Sequence, residues 1–230
     1  MTSIIILTST VADGSMYNRK DFFDRTVINN RTTYLKKNNL SINHATRLHP
    51  NANERAATPG LVDWCTYTEV GELQQGNGMT DDNIAAADAL ITTQKGQVLF
   101  LPVADCVGAA FYDPQHEVLM VSHLGRHSLE QQGAIRSVQY LTKHYGSSPS
   151  ELLVWLTPAP NKETFPIWAL DNKGMKEVTF EQLTAAGITL EHITDNPADT
   201  VTDLNYFSYS EFLKGNRTED GDYALIAVMA

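Results

Sequence analysis

Three apolar runs of strand length lie close together between Val98 and His123, and they limit the folds open to this chain. "VLFLPV", "VGAAFY" and "VLMVSH" are almost continuously apolar, which is typical of strands covered on both faces. The turn "DPQH" joins the second run to the third, so we expect these two to pair as neighbouring strands. Strands of this kind favour sheets that are packed against further layers.

Other segments supply strands and helices around these runs. The β-branched start "SIIILTST" and the end "YALIAVMA" predict a first and a last strand. Helical spacing of apolar residues predicts helices over Asp21–Lys37 and Leu129–Tyr145. Residues 43–61 hold Asn, Pro and Gly without clear periodicity and are interpreted as loop. We therefore expect one α+β domain over residues 1–230, with mixed β-sheets packed against flanking helices.

The charge balance limits the partners of the chain. Its 230 residues carry 17 Lys and Arg against 27 Asp and Glu, whereas a nucleic-acid surface needs clustered basic residues. The longest apolar runs are too short for a membrane span, and the first residues lack a basic leader. We expect no nucleic-acid or membrane partner, and two reduced thiols, Cys65 and Cys106, in a cytoplasmic protein. The oligomeric state is left open.

A cysteine and a histidine lie at the edges of the paired apolar runs. Cys106 precedes the second run and His123 closes the third, so in a hairpin their side chains can meet at one end of the sheet. Thiolate and imidazole are zinc ligands, and they also form the nucleophile–base pair of cysteine hydrolases. A buried structural thiol beside a hydrogen-bonded histidine is the alternative interpretation.

These runs and their flanks resemble the laccase-domain family, also called the multicopper polyphenol oxidase family. The shared features are "ADAL" at Ala87–Leu90, "ADC" at Ala104–Cys106, the "DP" turn at Asp113–Pro114, and the pair His123 and Gly125. Members of the family have been described as purine nucleoside phosphorylases and peptidoglycan editing factors. The resemblance covers most of the chain and implies a laccase-like domain that acts on a small molecule, a purine nucleoside together with phosphate.

The resemblance also implies a zinc ion held by one cysteine and two histidines. It places Cys106 and His123 at two of these positions, and Gln75 of "LQQG" where the first histidine is expected. A carboxamide oxygen is a far poorer zinc ligand than an imidazole. His127 is a second candidate for the missing ligand, because it lies four residues after His123 and shares its face on a helical turn.

Further site residues follow from the same resemblance. Asp105 and Arg126 join Cys106 and His123 as catalytic candidates. Asp105 either orients an imidazole or caps nearby backbone, and Arg126 lies one position from an arginine of the family.

Substrate binding is assigned to residues near two motifs. Asn30 and Arg31 belong to "NNR", which resembles a family helix, and Gln75 is assigned to hydrogen bonding of a ligand or a water. Several arginines of the family are replaced, including two at Ser210–Glu211 and one within "EDGDYA". Phosphorolysis uses arginine to position a phosphate dianion, whereas deamination uses a metal-activated water.

Three functional hypotheses remain open at this point. The first is a divergent purine nucleoside phosphorylase or adenosine deaminase-like enzyme with a zinc-type Cys/His site. The second is a homologue that keeps a ligand- or partner-binding pocket without catalysis, and the third is a metal-free Cys–His hydrolase. Oxidation by several coppers is disfavoured, because seven scattered histidines do not supply the ligand sets.

Overall fold

The computed structural model describes residues 3–21, 23–50, 62–81, 83 and 85–230. The strands of this part are Ile4–Thr8 (β1), Ala45–His49 (β2), Tyr67–Glu69 (β3), Ala85–Ala86 (β4), Ala89–Thr92 (β5), Val98–Val103 (β6), Val107–Asp113 (β7), Val118–Leu124 (β8), Leu153–Leu156 (β9), Ile193–Asp195 (β10) and Tyr223–Met229 (β11). Its α-helices are Arg25–Lys37 (α1), Arg126–Glu130 (α2), Gly133–Tyr145 (α3), Met175–Ala185 (α4) and Tyr209–Leu213 (α5). No helix among these described residues has the length and apolar character needed to cross a membrane.

The strands form two mixed sheets. One has the order β1-β11-β6-β2-β4 and the other the order β10-β9-β7-β8-β5-β3. In the first sheet β1, β11 and β6 pair antiparallel, and β2 runs parallel to both of its neighbours. In the second sheet the inner pairs are antiparallel and the two edge strands, β10 and β3, pair in parallel. The expected α+β fold with mixed sheets is confirmed.

The two sheets pack face to face, and helices cover their outer faces. Successive side chains of β6 point to opposite faces of the sheet. Leu99 and Leu101 belong to the core between the sheets. Val98 and Phe100 pack on the other face with Leu35 of α1. Residues of α3 and α4 pack on the outer face of the other sheet. The apolar runs are continuous because both faces of their strands are covered.

Strands β7 and β8 form the expected hairpin. Gly108 pairs with His123, so Cys106, just before β7, lies beside the end of β8. His116 lies in the turn at the opposite end, where its Nδ1 is 2.7 Å from Asp113 Oδ2. The hairpin therefore separates His116 from the end of the sheet that holds Cys106 and His123.

The helix predicted over Leu129–Tyr145 is divided into α2 and α3. Gln132 takes a left-handed conformation with a φ of 63° and interrupts the helical path. Gly133 follows, and a Cβ at this position would lie 2.0 Å from Ser128 Oγ. The two helices thus meet too closely for any residue but glycine, which the helical spacing alone does not reveal.

The interpretation of residues 43–61 as loop is wrong over its first part, and residues 51–61 lie outside the described part of the chain. Ala45–His49 is β2, an interior strand of the first sheet. Thr46 and Arg47 are fully buried within it, and both side chains donate hydrogen bonds to backbone carbonyls. Because the buried residues of β2 include polar ones with backbone partners, the strand shows no hydrophobic pattern in the sequence.

Candidate functional site

A cavity of about 310 Å³ opens where β2, β6 and β8 end and where β7 and β11 begin. Two imidazoles, a thiol, a guanidinium and a carboxylate contribute to its lining, from His49, His123, Cys106, Arg19 and Asp222. These side chains come from both sheets and from the loop after β1. The cavity therefore brings together chemical groups that are far apart in the sequence, as ligand-binding pockets commonly do.

Gly125 leaves room between Cys106 and His123. A Cβ at position 125 would lie 3.2 Å from Cys106 Sγ, 3.3 Å from His123 Nε2 and 2.8 Å from His123 Cε1. The sulfur and the ring nitrogen therefore border one point next to Gly125. The structure brings the thiol and the imidazole together at the end of the sheet, and any side chain at 125 would fill the gap between them.

The Cys106 thiol is half-buried in negatively charged surroundings. Burial, together with the nearby carboxylates of Asp105 and Asp222, raises the pKa of Cys106 to about 12. The thiol of the metal-free chain is therefore protonated near pH 7. A bound cation would reverse this balance, because a metal ion favours the thiolate.

His49 is a cavity residue that the sequence patterns did not indicate. It ends β2, lines the cavity with Cys106 and His123, and its Nδ1 lies 3.4 Å from Tyr17 Oη. The available signal is the pair His49–Pro50, because proline lacks the N–H that a strand interior requires and marks a strand end. A histidine at such an end is well placed to face a cavity.

The structure does not bring Gln75, His127 or Arg126 to the cavity lining. Gln75 follows a 3-10 turn that contacts the start of β2, where Thr46 Oγ1 donates to the Gln74 carbonyl at 2.6 Å, whereas the cavity lies at the end of β2. His127 is exposed, stacks on Trp64 with ring centroids 4.8 Å apart, and has its Nδ1 3.0 Å from Glu130 Oε2. Arg126 is also exposed, and its Nη2 lies 3.3 Å from His127 Nε2.

Asp105 stabilises the backbone next to Cys106 through hydrogen bonds to its side chain. Its φ of 75° places it in the left-handed region, and its buried carboxylate accepts hydrogen bonds from Thr200 Oγ1 at 2.8 Å and from the Ser210 backbone N–H at 2.7 Å. These bonds tie the segment before β7 to α5. Of the two roles open for Asp105, the structure shows the contact with nearby backbone.

Arg31 and Asn30 donate hydrogen bonds to backbone carbonyls, Arg31 in the protein interior and Asn30 in the loop before α1. Arg31 is 1% exposed, and it donates hydrogen bonds to the carbonyls of Met16 at 2.7 Å and Met79 at 3.2 Å. Burial and the neighbouring Arg47 lower the pKa of Arg31 to about 9. Asn30 Nδ2 donates to a loop carbonyl at 3.0 Å. Neither residue lines the cavity.

Arg19 is an arginine that reaches the cavity. Its guanidinium forms ion pairs with Asp220 and Asp222 and lies 4.1 Å from the centroid of the Tyr209 ring. Burial raises the pKa of Asp222 to about 6, and Arg19 acts in the opposite direction. The cavity thus contains one guanidinium, that of Arg19, which is already paired with the carboxylate of Asp222.

The donor set at the cavity suits zinc. Two imidazoles and a thiol are ligands that zinc prefers, and Gly125 leaves space between two of them. In the described ranges of the chain, no three His, Cys, Asp or Glu side chains already form a metal-binding group. The chemistry of the donors therefore fits the metal, and His49, which lies near Tyr17, is the donor that would have to complete the set.

Two curated proteins match segments of the chain. One is named purine nucleoside phosphorylase YlmD of Bacillus subtilis, 31% identical over 93 residues that cover 40% of this chain and 34% of that protein. The other is named a purine nucleoside phosphorylase of Clostridium acetobutylicum, 27% identical over 104 residues that cover 43% of this chain and 44% of that protein. The chain thus spans less than half the length of either relative.

Solved structures share the fold over almost the whole chain. The hypothetical protein YfiH of Bacillus licheniformis has a TM-score of 0.81 at 18% identity, covering 99% of this chain and 93% of that chain. YlmD of Geobacillus stearothermophilus has a TM-score of 0.77 at 19% identity, covering 100% and 91%. Residues 25–173, more than half of the chain, match the family model described as multi-copper polyphenol oxidoreductase laccase. The chain belongs to this laccase family, as the sequence motifs predicted.

Proposed function

We propose that the protein is a zinc-dependent enzyme acting on purine nucleosides, with His49, Cys106 and His123 as the metal ligands. The observation that supports this most is the grouping of two imidazoles and a thiol at one cavity, with space kept open by Gly125. The names of the two curated relatives support purine nucleosides as the substrate class.

A bound zinc ion would supply Lewis acidity and a water acidic enough to act as a nucleophile near neutral pH. The residues of the chain prepare the site around it. Tyr17 lies near His49 Nδ1 and orients the imidazole, as partners of ligand histidines do. Asp105 fixes the backbone before β7, and Pro102 offers apolar surface to a purine ring.

Replacing His49 with alanine is expected to lower zinc affinity more than about 100-fold, because a first ligand is lost. Gln75→Ala is the matched control and is expected to leave zinc affinity unchanged, since Gln75 does not line the cavity. Zinc content after chelator-free purification, zinc titration, and turnover of adenosine and inosine are measured for each protein. Loss of zinc in Gln75→Ala alone would return the ligand role to Gln75. A folded wild type with neither zinc nor turnover would refute the proposal and favour a pocket without catalysis.

The metal-free hydrolase makes a different demand on Cys106, because a nucleophilic thiol needs a depressed pKa. Since the pKa of Cys106 is raised to about 12, we expect iodoacetamide to alkylate it at pH 7 at least about 100-fold more slowly in folded zinc-free protein than in urea. Peptide mass spectrometry after timed quenching measures this. Fast, stoichiometric modification of Cys106 in the folded protein would instead support the hydrolase.

A further inference from the structure

We infer that the ion pair of Arg19 with Asp222 excludes phosphate from the cavity, so that the site uses water and deaminates its nucleoside. This inference rests on the proposed function and selects one of the two reactions considered for it. Phosphorolysis must hold a phosphate dianion beside the sugar, whereas deamination consumes a neutral water. The electrostatics of the cavity therefore decide between them.

The arginine that lines the cavity and two buried arginines near Tyr17 are already committed to other groups. Arg19 lines the cavity, but its guanidinium pairs with two carboxylates, Asp220 and Asp222. Arg31 is buried, and it donates hydrogen bonds to backbone carbonyls. Arg47 is fully buried, donates to the Gly78 carbonyl and lies over the Tyr17 ring at 5.2 Å. Bidentate capture of phosphate needs a guanidinium edge that is not occupied by carboxylates.

Asp222 also places a negative charge in the cavity. Its side chain lines the cavity, is 7% exposed and acts electrostatically on Cys106. Asp105, next to Cys106, contributes a second carboxylate to the same surroundings. These carboxylates offset the positive charges of Arg19 and of a bound zinc ion, and they weaken the attraction of a dianion because the site is only partly exposed to screening water. A neutral water does not depend on this attraction.

The ion pair is held in a defined position by the backbone. The Met16 N–H donates to the Asp222 carbonyl at 2.8 Å, and the Asp222 N–H donates to Ser15 Oγ at 3.1 Å. The loop that carries Arg19 is thereby tied to the start of β11. Arg19 also lies against the Tyr209 ring at 4.1 Å, which restricts its movement toward a ligand.

Deamination of adenosine needs no reactant other than water. Water forms a C–O bond at C6 of the adenine ring, and the C6–N bond to the exocyclic amine breaks. One water proton ends on ring N1 and the other leaves with the amine as ammonia. The product is inosine, and the bond between base and ribose stays intact.

The test uses the full chain and inorganic phosphate as the probe. Calorimetric titration with phosphate, at matched ionic strength in chloride, compares wild type with Asp222→Asn, which removes a charge at constant shape. We expect Asp222→Asn to bind phosphate at least about tenfold more tightly than wild type. Asp220→Asn is the matched control and should gain less, because Asp220 pairs with Arg19 without lining this cavity.

Product analysis of the wild type provides a second readout that needs no variant. We expect adenosine to give inosine and ammonia at a rate independent of phosphate, and inosine to give no ribose 1-phosphate. Formation of ribose 1-phosphate, or phosphate binding by wild type as tight as by Asp222→Asn, would overturn the inference while leaving the nucleoside function intact. If neither nucleoside reacts, the proposed function fails, and the phosphate titrations still show whether Asp222 excludes the anion.

Discussion

Arg31→Met is expected to lower the free energy of unfolding by about 2–4 kcal/mol, because buried carbonyls would lose their hydrogen-bond donor. Arg31 is 1% exposed and bonds to the carbonyls of Met16 and Met79, which lie in two separate loops. Methionine fills similar space but donates no hydrogen bond. Urea unfolding followed by circular dichroism measures the loss.

Arg126→Met is the matched control for this change. Arg126 is exposed, so its replacement is expected to alter the free energy of unfolding by no more than about 0.5 kcal/mol. The pair of variants separates a structural role from a ligand-binding role. Wild-type stability in Arg31→Met together with weakened nucleoside binding would show that Arg31 contacts substrate, as the sequence motif suggested.

Gly125→Ala is expected to abolish zinc binding and to lower nucleoside turnover more than about 100-fold. The new Cβ would lie 2.8 Å from His123 Cε1 and 3.2 Å from Cys106 Sγ, so the two donors would have to separate. The backbone φ of Gly125 is −77°, a value that alanine adopts without strain. The effect is therefore expected at the site more than on the fold.

Gly71→Ala is the control for that substitution. Its Cβ would approach only the Gln94 side-chain end, at 3.1 Å, and this end can move. We expect Gly71→Ala to keep the zinc affinity and turnover of the wild type. Normal zinc binding by Gly125→Ala, measured by titration on the folded variant, would show that the gap beside Gly125 does not serve a metal.

The sequence predicted the fold well wherever apolar side chains covered both faces of a strand. The runs at β6, β7 and β8 could be recognised because burial on two sides leaves no polar alternation. β2 was missed because Thr46 and Arg47 are buried with backbone partners, which gives a polar pattern inside a core. Hydrophobic periodicity reports burial only when the buried residues are apolar.

The site could be predicted only as far as its local pairing. Cys106 and His123 come together through one hairpin, whose turn is visible in the sequence. His49 and Arg19 reach the same cavity through β2 and the loop after β1, which depend on the order of strands in the sheets. Pairing of distant strands leaves no local signal, so the sequence offers Gln75 from a nearby motif, and not His49, as the third candidate donor.

The most direct test of a shared zinc centre is X-ray absorption at the zinc edge on the zinc-loaded protein, beside His49→Ala. We predict one sulfur at about 2.3 Å and two imidazole nitrogens at about 2.0–2.1 Å in the wild type, and one imidazole fewer in the variant. A zinc shell without sulfur, or one unchanged by His49→Ala, would contradict the assignment of Cys106, His123 and His49 to one metal.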